Sequence, residues 1–351
     1  MNPEIKKYYQ SKRINNSLLG MMDNPRWFKW KRDHPDTEDD EKRHFRVGSA
    51  LDTLLTDNEQ FHHEFKIVST VRPFGLMGKF IDKMPYNLTM GTDPSEFQEA
   101  YESSGYRMKL ETVLTKFWGN KDFVEYYESL CCEDDGRQVL SKDEFDTVIN
   151  MKELILANAN VLPYFMNTDK DVEIIYQMPI YFDYGGEECK GLLDLLVINH
   201  REKTIQPIDL KSTGKPVKDF RKAYLQFGYY RQAAFYTEAV KWWVQDQSEK
   251  RALAIAVSGG EDLPNLIDYE LKNFIFVVVE AKLSSSEPAI IFNTTDADLY
   301  AGLNGGTTKF GKYYKGINQY LEDYLWHMET DKWEMSRSLY ESGGKIVLDV
   351  F

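Results

Sequence analysis

Three residues have the types and spacing for metal-assisted hydrolysis: Asp194 in the run GLLDLLVI, and Asp209 with Lys211 in PIDLKST. Residues two apart on a strand point to one face, so Asp209 and Lys211 project together. A hairpin between the two runs brings Asp194 beside them. A carboxylate inside an apolar strand is costly to bury unless something pairs with it. Two carboxylates and the backbone carbonyl of Leu210 suit Mg²⁺, which takes oxygen ligands and keeps several waters; Mn²⁺ is expected to substitute. Such an ion lowers the pKa of its water and neutralises charge developing on a phosphate. Lys211, close to carboxylates, is expected to stay protonated and to orient water and stabilise charge rather than act as a base. The plainer alternative is a structural Asp–Lys pair at a sheet edge. Asp–x–Lys alone favours that alternative; Asp194 and the strand–turn–strand context reverse the balance.

Positioning these residues requires a sheet. VEIIYQMPIYFDY (172–184) alternates and is rich in β-branched residues, GGEE is a turn, KGLLDLLVIN (190–199) is a buried strand, and TIQPIDLKST (204–213) is a third strand after the turn HREK. Together they predict an antiparallel meander. A long helix over about 217–246 follows, then the apolar strand NFIFVVVEAK (273–282) and its expected partner PAIIFNTT (288–295). Upstream the chain reads mainly as helix. Residues 15–33 form a short helix broken near Pro25, 34–43 a charged loop, and 44–65 an amphipathic helix. A strand is expected near 66–71, and 141–160 is a helix with Ser141 and Glu144 at capping-box spacing. Residues 296–329 are mainly helical, and KIVLDV ends the chain as a short strand. The economical organisation is one α/β domain over 1–351: a mainly helical part (1–165), a core (166–295) and a helical C-terminal part (296–351).

The pattern GLLDLLVI–turn–QPIDLKST resembles the D–(D/E)xK signature of the PD-(D/E)XK nucleases. QAAFY is similar to the QxxxY motif of the RecB-like and lambda-exonuclease-like branches, placing Gln232 and Tyr236 on one helix face. FRVGSALDTLL resembles the family's GxxxH helix, with NPRWFKW before it. The order of these pieces most resembles the RecE-type (exonuclease VIII-like) phage nucleases, over roughly residues 15–295. The resemblance implies a restriction-endonuclease-like core with a central mixed sheet flanked by helices and a helical N-terminal elaboration. It implies a Mg²⁺-dependent exonuclease acting on DNA, 5′-to-3′ on linear duplex, in phage-type recombination. A ring of copies and a single-strand annealing protein as partner come with the kinship. A single-strand nuclease, an endonuclease or a silent binding module is the alternative.

Two positions depart from the family. Its histidine is Asp52 here, read either as a third metal ligand or as a solvated helix acid. Its first-strand glutamate best matches Gln177, with Glu173 four residues earlier on the same face as the other candidate. Gln232 and Tyr236 either help to hold DNA or simply pack, since Leu225, Tyr229 and Val240 share their stripe. Lys215, Lys218, Arg221 and Lys222 form either a phosphate track or a solvated helix start, and Arg46 is a candidate for a terminal 5′ phosphate. Trp27, Phe28 and Trp30 sit at a helical register that suits a core, although such rings can also stack on bases.

Composition bounds the rest. With 42% apolar and 28% charged residues the chain folds rather than staying disordered. A net charge of −13 argues against a protein that merely coats nucleic acid. Cys131, Cys132 and Cys189 form no CxxC pattern, which predicts reduced thiols; the iron–sulfur branch of the family this chain resembles needs four cysteines around the core, so the resemblance implies no cluster here. No run approaches a membrane span, and MNPEIKKYYQ lacks the apolar centre of a signal peptide, so a cytoplasmic location in a bacterial or phage-infected cell is expected. GTTKFGK (306–312) matches GxxxxGK, but Tyr313 occupies the Ser/Thr position and no strand precedes it, so a nucleotide-hydrolysing motor is rejected.

Overall fold

The computed structural model describes residues 3–34, 43–68, 71–131, 137–258 and 265–346. The fold is mixed α/β, with a central mixed sheet and many helices. The chain opens with α1 (Pro3–Gln10), α2 (Asn16–Leu19) and α3 (Pro25–Asp33). Pro25 does end the preceding helical stretch, and it also starts α3, at a position whose N–H needs no partner. Asn24 caps α3 by accepting the Trp27 N–H at 3.2 Å.

The sheet begins with β1 (Val172–Tyr184), β2 (Glu187–Asn199) and β3 (Thr204–Thr213), an antiparallel meander as expected. Tyr184 pairs with Glu187, leaving a two-residue turn of Gly185 and Gly186 with φ of 61° and 84°. That turn needs left-handed backbone at both positions, which glycine supplies without strain. After β3 the chain crosses over through α4 (Phe220–Gln226) and α5 (Tyr229–Ser258). It returns as β4 (Glu270–Leu271) and β5 (Ile275–Glu280), both parallel to β3. Parallel neighbours require a crossover of this kind. Every residue of β5 is buried, as expected of a strand covered on both faces. β6 (Ile290–Asn293) pairs antiparallel with β5 and completes six strands.

The helix read over 217–246 is interrupted. Gly228 adopts φ 70° between α4 and α5, a left-handed step that ends one helix and redirects the next. Similarly, the helix read over 44–65 breaks at Asp57, whose side chain caps the helix Asn58–Glu64 by accepting the Gln60 N–H at 2.9 Å. Beyond β6 lie α6 (Asp296–Asn304), a hairpin of β7 (Gly306–Thr307) and β8 (Tyr313–Tyr314), α7 (Ile317–Thr330) and α8 (Arg337–Glu341). GTTKFGK therefore belongs to a hairpin, not to a strand-to-helix loop. The charged loop lies almost wholly outside the described residues, as does most of the terminal KIVLDV. Among the described residues no helix is long and apolar enough to cross a membrane.

The edge of β2 that faces β3 has two partners. Pairing with β3 runs from Asn199↔Thr204 to Leu195↔Ile208 and stops. Further back, the Ile14 N–H donates to Glu188 O at 3.0 Å and the Lys190 N–H to Ile14 O at 2.8 Å. The buried Lys190 ammonium fixes that segment by donating to the carbonyls of Tyr8 at 2.7 Å and Ser11 at 2.6 Å. Residues 191–194 of β2 thus lie in a fork between β3 and the N-terminal segment.

The chain divides into two compact units. One comprises Met1–Asp40, Ile155–Glu280 and Glu287–Phe351 and contains the sheet; the other comprises Glu41–Leu154 and Ala281–Ser286. The second unit is mainly helical around Phe80, Phe97, Phe117, Tyr126 and Tyr127, with Phe65–Val68 pairing parallel to Gln138–Ser141. Its helix Lys142–Leu156 starts with the capping box read from the sequence: Glu144 Oε2 accepts the Ser141 N–H at 3.0 Å and Ser141 Oγ accepts the Glu144 N–H at 3.2 Å.

In the sheet-bearing unit, α6 crosses α5 at Gly302, where a Cβ would stand 2.3 Å from the Tyr230 carbonyl oxygen and 2.5 Å from Ala234 Cβ. Backbone that close cannot move aside cheaply. Gly302→Ala is expected to destabilise this unit by about 1–3 kcal/mol through overpacking; a urea unfolding midpoint equal to wild type would show the crossing to be looser.

Candidate active site

The fork in β2 is where the chemistry-bearing residues gather. Just beyond Leu195↔Ile208 the side chain of Asp194 takes over from the strand ladder, its Oδ2 accepting the Leu210 N–H at 2.8 Å. On a strand, one residue's N–H and C=O point to the same edge. The Leu210 carbonyl therefore faces the opened side of the fork too. Asp209, 1% exposed, receives the Lys211 ammonium on Oδ2 at 2.6 Å and the Gln232 amide on Oδ1 at 2.7 Å. The three sequence-predicted residues thus converge, and Gln232 of α5 reaches the same carboxylate.

Electrostatics follow from this burial. Desolvation, then the Asp209 charge, push Asp194 up to about 7, against the pull of Lys211 and the Leu210 N–H. Asp209 is also raised by burial, against the pull of Lys211, Asp194 and Gln232. Burial would lower Lys211, but Asp209 and Asp194 outweigh it and hold the ammonium above its ordinary value. Lys211 therefore stays protonated near neutrality and carries a fixed positive charge. Its ammonium also sits 5.1 Å from the centre of the Tyr229 ring. Sequence reasoning had placed Tyr229 only among packing residues; its position three before Gln232 on one helix face was the available signal.

The other sequence candidates are distributed as follows. Gln177 falls between the pairs Tyr176↔Leu195 and Met178↔Leu193, across from Asp194, with φ 46°. Glu173 pairs with Ile198, four positions along β2 from Asp194 and roughly 13 Å away at strand rise. Its half-exposed carboxylate lies 3.4 Å from His200 Nε2. Of the two, only Gln177 stands opposite Asp194 in the register. Tyr236 stands one turn beyond Gln232 on α5, near Phe274, and burial raises it far above the ordinary phenol range. Lys215, Lys218, Arg221 and Lys222 are exposed on the segment leaving β3, with Lys222 paired to Asp219 at 3.1 Å.

Asp52 and Arg46 belong to the second unit. Asp52 is half-buried on the helix Arg43–Thr56. The guanidinium of Arg46, expected to meet a phosphate, is engaged by Glu144 Oε1 at 2.7 Å, with both side chains largely buried. That glutamate is the one that closes the capping box.

The donor set can be tested against a divalent cation. Among the described residues no three His, Cys, Asp or Glu side chains converge as a metal-binding group. What remains is two neighbouring carboxylates and the Leu210 carbonyl, a set suited to Mg²⁺, which is commonly held by one or two carboxylates and several waters. The fit is electrostatic as well: Asp194 is held in part by its own neighbour's charge in a state that a cation would relieve.

No protein-family model matches the chain, and no curated protein sequence does. Among solved structures, a protein from Eubacterium rectale described as a candidate exonuclease aligns with a TM-score of 0.41 at 11% identity, over 99% of this chain and 92% of its own.

A pH test follows from Asp194. Its folded-state pKa of about 7 lies above the ordinary 3.8, so the folded protein holds the extra proton between those values. The associated stability is present at low pH and is lost as pH rises through about 7. In EDTA, this group is expected to make the wild type less stable to urea at pH 7.5 than at pH 4.5. Asp194→Asn should flatten the difference between urea unfolding at pH 4.5 and pH 7.5; an unchanged pH dependence would mean that Asp194 ionises normally.

Proposed function

We propose that this chain is a divalent-metal-dependent deoxyribonuclease on a PD-(D/E)XK core, acting as a 5′-to-3′ exonuclease on linear duplex DNA. The observation that carries the reading is the convergence of Asp194, Asp209 and Lys211 on adjacent strands, with Gln232 donating to Asp209. The order of elements supports it as well: an antiparallel meander bearing the acids, a helix, then a strand parallel to the third.

In this reading Asp194, Asp209 and the Leu210 carbonyl hold Mg²⁺. When bound, the ion supplies an activated water and neutralises charge on the scissile phosphate. Gln232 keeps Asp209 in one rotamer, and the Leu210 N–H does the same for Asp194. Lys211 donates to the water or to a phosphate oxygen and stabilises the added negative charge. Tyr229 supports its ammonium from one side. Lys215, Lys218, Arg221 and Lys222 supply a local positive strip along which the phosphates run, in a chain whose net charge is otherwise −13. A ring of copies enclosing the DNA would supply retention without a strongly basic surface; it belongs to the same proposal, and micromolar light scattering showing only monomers would remove it.

Linear end-labelled duplex should lose nucleotides in Mg²⁺ and not in EDTA, while closed circular DNA survives. Asp209→Asn should reduce the rate by about 10³-fold or more, equivalent to about 4 kcal/mol of barrier. Cutting of the circle would reassign the chain as an endonuclease. Separately from activity, saturating Mg²⁺ should raise the melting temperature of the wild type by a few degrees and leave Asp194→Asn unmoved. Equal shifts in both proteins would place the ion elsewhere.

A further inference from the structure

The exposed face of α3 carries a stack of rings that the proposed reaction does not use. Trp27 and Trp30 are 43% and 40% exposed, their ring centres 4.9 Å apart and their planes within 11° of parallel. His34 extends the stack, 5.0 Å from Trp30 at 19°. The spacing of three and four residues puts the rings along one side of the helix. Phe28, the ring between the two tryptophans in sequence, points the other way. It is fully buried and stacks on Trp333 at 6.1 Å, so it anchors the helix while Trp27 and Trp30 stay outside the core.

Large exposed rings lose a favourable burial term, and a pair that stacks in the open is already ordered for a third planar partner. The helix that bears them is basic in an acidic chain. α3 holds Arg26, Lys29, Lys31 and Arg32 against Asp33. Lys29 reaches Asp331 at 3.0 Å and Arg32 reaches Asp33 at 3.1 Å, while Arg26 is exposed. Planar rings for bases and cations for phosphates are the two components of sequence-tolerant single-strand binding.

We propose that Trp27, Trp30 and His34 form a stacking platform for single-stranded DNA. The proposal rests on the nuclease reading, because removing one strand of a duplex leaves the other single, and it adds a place for that strand.

The test uses intrinsic tryptophan fluorescence of the full chain, titrated with a 15-nucleotide oligothymidylate in EDTA at low salt. Wild type should show saturable quenching. The double variant Trp27→Ala/Trp30→Ala should bind at least tenfold more weakly by anisotropy of labelled oligonucleotide, and Trp27→Phe/Trp30→Phe should recover most of the affinity. Equal binding by wild type and the alanine variant overturns the platform. So does an absence of quenching, above all if self-association is lost in the variant, which would assign the face to a second copy of the chain. Duplex digestion, run in parallel, separates the two readings: cleavage by wild type with no platform effect sinks only the platform, and no cleavage sinks the nuclease.

Discussion

Burying two carboxylates beside one another in an apolar sheet is the constraint on which the rest of the structure depends. Each acid is costly to desolvate and each repels the other. The fold meets this cost locally: a lysine and a glutamine amide on Asp209, a backbone N–H on Asp194. None of these partners comes from the same element as Asp194. The hairpin must bring β3 alongside β2, and the crossover must bring α5 back over the sheet with Gln232 in reach. The core of Phe274, Phe276, Ile205 and Leu196 makes that assembly stable enough to hold an arrangement that costs energy by itself.

The fork in β2 follows from the same constraint. Had β3 continued to pair with β2 past Ile208, the Leu210 N–H would have gone to a backbone carbonyl and Asp194 would have had no donor there. Ending the ladder early frees both. The N-terminal segment then takes up the far part of the edge through Ile14, with Lys190 securing it from below. A segment distant in sequence thus completes the strand that carries one of the catalytic candidates.

Much of this was legible in the sequence. The meander was read with its bounds for β1 and β3, because alternation and paired glycines are strictly local signals. Asp194, Asp209 and Lys211 were legible because an acid in an apolar run demands an explanation wherever it lies. The break at Gly228 was missed because a glycine inside a helical pattern can be tolerated, and only the left-handed backbone there decides otherwise. Glu173 and Gln177 could not be separated, since strand parity puts both on one face and only the register across β2 tells which one stands opposite Asp194. The engagement of Arg46 by Glu144 joins positions 98 apart and leaves no trace in either local pattern.

One further property belongs to β1, the outer strand on its side of the sheet. A strand of thirteen residues at an edge normally offers a row of unpaired donors and acceptors to any passing chain. Here Gln177 turns left-handed and Pro179, two residues on, has no N–H to give. The row is broken at its middle, opposite Asp194. A second chain cannot add itself continuously along that edge, so the distortion at Gln177 also works against edge-to-edge aggregation of the sheet.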